Sequence, residues 1–72
     1  MKLEEVNEVM MSGRTVVHTH MGISAPYTIR HVLTGYSKEK GWTYSLELQD
    51  LKSGCIVYAA LEDTEVQNDN DN

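Results

Sequence analysis

The stretch Trp42-Thr43-Tyr44-Ser45-Leu46-Glu47-Leu48-Gln49 alternates apolar and polar residues without a break. Successive side chains of a β-strand point to opposite faces, so the pattern predicts a strand with one apolar and one wet face. The apolar set, Trp42, Tyr44, Leu46 and Leu48, is predicted to build the core. Asp50-Leu51-Lys52-Ser53-Gly54 follows as a tight turn, since aspartate bonds its own backbone and glycine accepts positive φ. A second apolar run then predicts a returning strand from Cys55 to Ala60. Cys55 opens that run and is read as a small buried hydrophobe, not a nucleophile. This segment alone dictates an antiparallel, β-rich fold.

The rest of the chain supplies shorter elements. Leu3, Val6 and Met10 recur at three- and four-residue spacing, with Val9 an optional member of the stripe and Glu4, Glu5 and Glu8 on the other side. That predicts an amphipathic helix over about residues 2–12, ended by Ser12-Gly13. Its early acidic residues suit the positive end of the helix dipole. Arg14 to His20 reads as a strand. Val17 shares one face with Thr15 and Thr19, and Val16 shares the other with His18 and His20. Met21 to Pro26 reads as a loop, because proline lacks a ladder donor and constrains Ala25. Tyr27 to Thr34 is the second strand, with Tyr27, Ile29 and Leu33 on one face. Gly35 to Gly41 is a polar hairpin connection. Leu61-Glu62-Asp63 reads as a helical turn and Thr64-Glu65-Val66 as a fifth strand. Residues 67–72 are polar or acidic throughout and are expected to form a disordered acidic tail. The expected organisation is a single small domain over 1–66, with its strands within 14–66.

Taken in order, these are five short strands: a long loop after the first, hairpins joining the second, third and fourth, and one turn before the fifth. The layout resembles the SH3-like small barrels, the group that includes Tudor and KOW modules. The residues that carry the resemblance are Trp42 to Leu48, Gly54 to Ala60 and Leu61-Glu62-Asp63-Thr64-Glu65-Val66. It implies a mainly β (α+β) fold: a small five-stranded antiparallel SH3-like barrel, or a strongly bent sheet, with a short N-terminal helix. A resemblance of layout implies no particular ligand. An open antiparallel sheet with the helix across one face is the competing arrangement.

Seventy-two residues bury only about 60% of their unfolded surface, so the core is small. The net charge of −5 is unevenly spread. Glu4, Glu5 and Glu8 mark one end, and Glu62, Asp63, Glu65, Asp69 and Asp71 the other. Arg14, Arg30, Lys38, Lys40 and Lys52 lie between them. An acidic whole argues against general affinity for nucleic acid or an anionic membrane. The lone cysteine argues against a disulfide scaffold and for a reducing compartment. The acidic N-terminus and the lack of a run of membrane-spanning length lead to the expectation of a soluble, cytoplasmic chain with no membrane role.

Three groups of residues are candidates for function. His18 and His20 share a face, and His31 lies on the next strand, so three imidazoles on one sheet are conceivable ligands for zinc. The preferred reading is a wet strand face with exposed histidines, because no CxxC or HExxH accompanies them. No cofactor is implied. Enzyme activity is not expected: Glu62, Asp63 and Glu65 are close only in sequence, and so short a chain has little room for a cleft. Arg14, Arg30, Lys38, Lys40 and Lys52, with Tyr36 and Trp42 nearby, could form a nucleic-acid face of the basic–aromatic kind used on single strands. The preferred reading is an ordinary solvated loop at Lys38-Glu39-Lys40 with Trp42 in the core, and Arg14, Arg30, Tyr36, Lys38 and Lys40 stand as the candidate binding residues. The function expected first is a non-enzymatic interaction module that binds a protein partner, in the style of a small bacterial or bacteriophage accessory protein. A nucleic-acid-binding barrel using the basic middle is the alternative, and a histidine metal site the second. A homodimer stays open, since exposed strand edges gain from association.

Overall fold

The computed structural model describes residues 1–67; Asn68 to Asn72, the remainder of the expected tail, lie outside the described residues. The helix α1 (Leu3–Ser12) is followed by β1 (Val16–His20), β2 (Ile23–Ser37), β3 (Gly41–Asp50) and β4 (Ile56–Ala60). A 3-10 turn, Leu61–Asp63, leads into β5 (Thr64–Val66). All five strands join one antiparallel sheet in the order β4-β3-β2-β1-β5. The fold is therefore mainly β with one short N-terminal helix, as the alternation and spacing predict. No helix among the described residues is long and apolar enough to cross a membrane.

The helix starts where Glu5 reaches back to accept the Lys2 N–H (2.9 Å) and ends at Gly13, whose φ of 74° lets its N–H bond Val9 O (3.0 Å). Its buried residues are Val6 and Val9; Leu3 and Met10, expected in the stripe, stay largely exposed. A three-residue spacing suffices because ten residues make under three turns and touch the sheet along a narrow line. The Met1 amino group donates to Leu61 O (2.9 Å) and Thr64 O (3.0 Å), which pins the start of the chain to the turn before β5. Gln67, expected to begin the tail, instead continues the β1 pairing: its N–H donates to Thr15 O (3.1 Å), and the Thr15 hydroxyl bonds its side chain.

β2 serves two ladders. Its first part pairs with β1, from His20 opposite Ile23 to Val16 opposite Tyr27. From Tyr27 onward it pairs with β3. The expected loop at Met21–Pro26 shrinks to the two residues Met21 and Gly22, both at positive φ (53° and 79°). That is the twist a two-residue hairpin turn demands. Pro26 is tolerated inside the strand because its carbonyl side lies past the end of the β3 ladder, where only Leu51 N–H meets it (3.3 Å) and no donor is required. The β2–β3 register shifts between Ile29 and His31. One extra residue in a strand reverses the facing of everything after it. Tyr27 and Ile29 pack on the core as predicted, but beyond the shift Val32 takes the inner face, and Leu33 is turned out and exposed.

The core joins one helix to one face of the sheet: Val6 and Val9 from α1, Val16 from β1, Leu46 and Leu48 from β3, and Ala59 from β4. Met1, Tyr27, Ile29, Val32, Val57, Leu61 and Val66 pack around them. Leu46 and Leu48 are fully buried as predicted. Trp42 and Tyr44 are not in the core, although they continue the same alternation. β4 pairs with β3 only over Ser45–Gln49, so past Ser45 there is no neighbouring strand on that side to extend the packed body. Cys55 is exposed as well; it lies just ahead of β4, which begins at Ile56. The turn before it forms as predicted, with the Asp50 carboxylate accepting the Lys52 N–H (2.7 Å) and the Ser53 N–H (3.1 Å). Those two bonds, Lys52 first, hold the Asp50 carboxyl below the usual carboxylate range.

Candidate interaction surface

Past the body, β2 and β3 run on as a two-stranded ribbon, an arm with no third strand paired beside it. Thr34 faces Tyr44, Gly35 faces Thr43, Tyr36 faces Trp42 and Ser37 faces Gly41. Lys38-Glu39-Lys40 forms the tip, closed by the Lys40 N–H bonding the Ser37 hydroxyl (3.0 Å) and by Gly41 at φ 72°. Side chains two apart share a face, so Tyr36, Trp42 and Tyr44 lie on one side of the arm. The Tyr36 and Trp42 rings meet edge to face, with centroids 5.3 Å apart and planes at 62°. Tyr36 is 67% exposed, Trp42 66% and Tyr44 38%. Aromatic pairs in this geometry are worth about 1 kcal/mol beyond their buried area. The pair therefore stiffens a ribbon that would otherwise be marginal in water.

The basic residues do not form one face. Lys38 and Lys40 join Tyr36 and Trp42 at the arm. Arg30 sits at the register shift and is attracted to Glu47. Arg14 lies beside Gln67, with Nη2 3.5 Å from its carbonyl. Lys52 belongs to the β3–β4 turn. The structure thus brings together three of the five predicted binding residues, Tyr36, Lys38 and Lys40, and joins to them Trp42, a predicted neighbour of that face, and Tyr44, which is not among the candidates. The sequence holds one signal for those two: the alternation of the third strand outruns the apolar run available to the fourth, so the surplus positions lack a layer to pack against.

The three histidines part company. His18 is buried, which corrects the expectation of a wet face: Val16 and His18 point inward, and the turn before β5 covers them. Its Nδ1 lies 3.0 Å from Asp63 O, and because a carbonyl only accepts, Nδ1 carries the proton in that bond. His20 stacks beside it at 6.2 Å, and Tyr27 meets it edge-on at 5.9 Å. With Val57 and Tyr58 these residues line a hollow of about 200 Å³. Ligand pockets usually hold about 300–1,000 Å³, so this one is small for an organic ligand. His31 stands on the outer face of the sheet with Glu47. Among the described residues, no three His, Cys, Asp or Glu side chains are grouped to hold a metal ion.

On that outer face, the Glu47 carboxylate bonds His31 Nδ1 through one oxygen and accepts the Tyr58 hydroxyl (3.3 Å) through the other. The His31 hydrogen bond comes first in holding the Glu47 carboxyl below its ordinary value of 4.5; attraction to His31, the Tyr58 hydroxyl and Arg30 add to it, and partial burial opposes. The folded chain therefore keeps this carboxylate ionised to lower pH than the unfolded chain does. The resulting stability is complete above the unfolded value and is lost as pH falls through the lower folded value. His31→Ala is expected to move the Glu47 titration upward, read by carboxyl NMR; an unmoved titration contradicts the assignment of the cause.

Compared with protein-family models, curated proteins and solved structures, the chain matches none.

Proposed function

We propose that this chain is a non-enzymatic interaction module whose β2–β3 arm docks on a protein partner. Tyr36, Trp42 and Tyr44 meet an apolar patch on that partner, and Lys38 and Lys40 meet acidic residues at its rim. The observation that carries the reading is the exposed edge-to-face pair of Tyr36 and Trp42 on a ribbon that contributes nothing to the core. Large exposed aromatics mark contact surfaces, and tryptophan and tyrosine dominate binding energy where interfaces have been dissected. Two rings already locked against each other lose little freedom on binding. The strand order β4-β3-β2-β1-β5, with a 3-10 turn before β5, supports an SH3-like small barrel carrying an extra N-terminal helix. A cytoplasmic accessory role of bacterial or bacteriophage type fits this reading.

The alternative occupant is single-stranded nucleic acid, which also stacks on exposed aromatics. Two lysines on the arm neutralise few phosphates, and the net charge of −5 opposes the rest, so a protein is favoured. Panning a random peptide library against the immobilised chain tests the choice. Enriched peptides are expected to pair apolar with acidic residues and to fail on a Trp42→Ala chain. Peptides that bind both chains equally contradict the arm as the surface. Saturable quenching of Trp42 by a dT oligonucleotide at low salt, with no peptide enriched, favours the nucleic-acid reading.

A further inference from the structure

We infer that β4 is the seam of a weak two-fold dimer, in which β4 of one copy pairs antiparallel with β4 of a second, centred on Tyr58. β4 is one edge of the sheet, and its five residues, Ile56-Val57-Tyr58-Ala59-Ala60, include no charge and no proline. The β3–β4 register is unbroken, so no bulge blunts this edge. Edge strands are ordinarily protected by such devices. The other edge is protected: β5 has three residues and carries Glu65 at its centre.

The sequence of β4 suits self-pairing. Centred on Tyr58, an antiparallel pair sets Val57 opposite Ala59 on the inner face and Ile56 opposite Ala60 on the outer. Large meets small at every off-centre position, and no like charges meet. The same register carries the β3–β4 turn of each copy, with Lys52, toward the Leu61–Asp63 turn of the other, with Glu62 and Asp63; all three residues are exposed. Two complementary charge contacts then flank the strands, despite the net charge of each chain. The added strand also lies beside Val57 and Tyr58, which line the open hollow over His18 and Tyr27. Five residues a side bury well under about 1,000 Å², so the dimer is expected to be weak and concentration-dependent.

Cysteine placement tests both the dimer and its register. In a Cys55→Ser background, Tyr58→Cys places the two thiols opposite each other at the centre. In the unaltered chain the two Cys55 thiols lie roughly 20 Å apart along the strands, six residues at about 3.4 Å each. Mild oxidation near 100 µM is expected to link the Tyr58→Cys chain at least tenfold faster than the unaltered one. Light scattering is expected to show the unaltered chain shifting toward dimer as concentration rises to about 1 mM, and Tyr58→Lys holding it monomeric. Tyr58 is 65% exposed, so neither substitution disturbs the core. A chain that stays monomeric throughout overturns the inference. Association without fast Tyr58→Cys linkage, as in pairing of β4 with β5 of another copy, overturns it equally.

Discussion

Leu46→Ala is expected to lower stability by about 3 kcal/mol and the melting temperature by about 15 °C. Leu46 is fully buried at the centre of the sheet, between Val32 on β2 and Ala59 on β4, and belongs to the cluster with Val6 and Val9. Removing three carbons there leaves a cavity that neighbours on three elements must collapse to fill. In a chain of 72 residues the total stability is of order 5 kcal/mol, so this one change takes most of it. Leu33→Ala is the informative contrast. Sequence periodicity places Leu33 inside, whereas the register shift after Ile29 turns it out, and its removal is expected to cost under about 1 kcal/mol. Thermal melts of the two variants side by side check the bulge as well as the core. Equal losses contradict the register described above.

Trp42→Ala has the opposite profile. It is expected to weaken binding at the arm at least thirtyfold while lowering stability by about 1 kcal/mol. The stability cost is small because Trp42 is two-thirds exposed, meets Tyr36 edge to face on the arm and is not part of the core. The binding cost is large because a tryptophan at the centre of a contact patch carries much of the desolvated area. Lys38→Glu with Lys40→Glu is expected to slow association and weaken binding less, since rim charges act mainly through encounter. Titrating an enriched peptide against each variant separates the two contributions. A lysine effect larger than the tryptophan effect contradicts an aromatic-centred surface.

These contrasts show which parts of the molecule are legible from the chain and which are not. The strand from Trp42 to Gln49 is legible because a period of two needs no knowledge of neighbours. Where that strand stops being core is not, because the length of β4 and the reach of α1 decide it. The facing of Leu33 depends on one residue inserted near Arg30, and a bulge leaves the local pattern intact on either side. Met21 gives no sign that it adopts a positive φ, so a two-residue turn reads as a six-residue loop. His18 looks like a surface histidine because the carbonyl that satisfies it, at Asp63, lies 45 residues away. Of the binding face, Tyr36, Lys38 and Lys40 are readable from their place in a polar connection. Trp42 and Tyr44 are hidden by the very alternation that makes their strand plain.

The fluorescence of Trp42, the one tryptophan in the chain, tests the central claim directly. In the free, folded protein its emission is expected near that of an indole in water. Iodide is expected to quench it efficiently, and more strongly than caesium does, because Lys38 and Lys40 draw the anion toward it. Blue-shifted emission shielded from both ions contradicts the account, for it returns Trp42 to the core and leaves the arm with no binding surface.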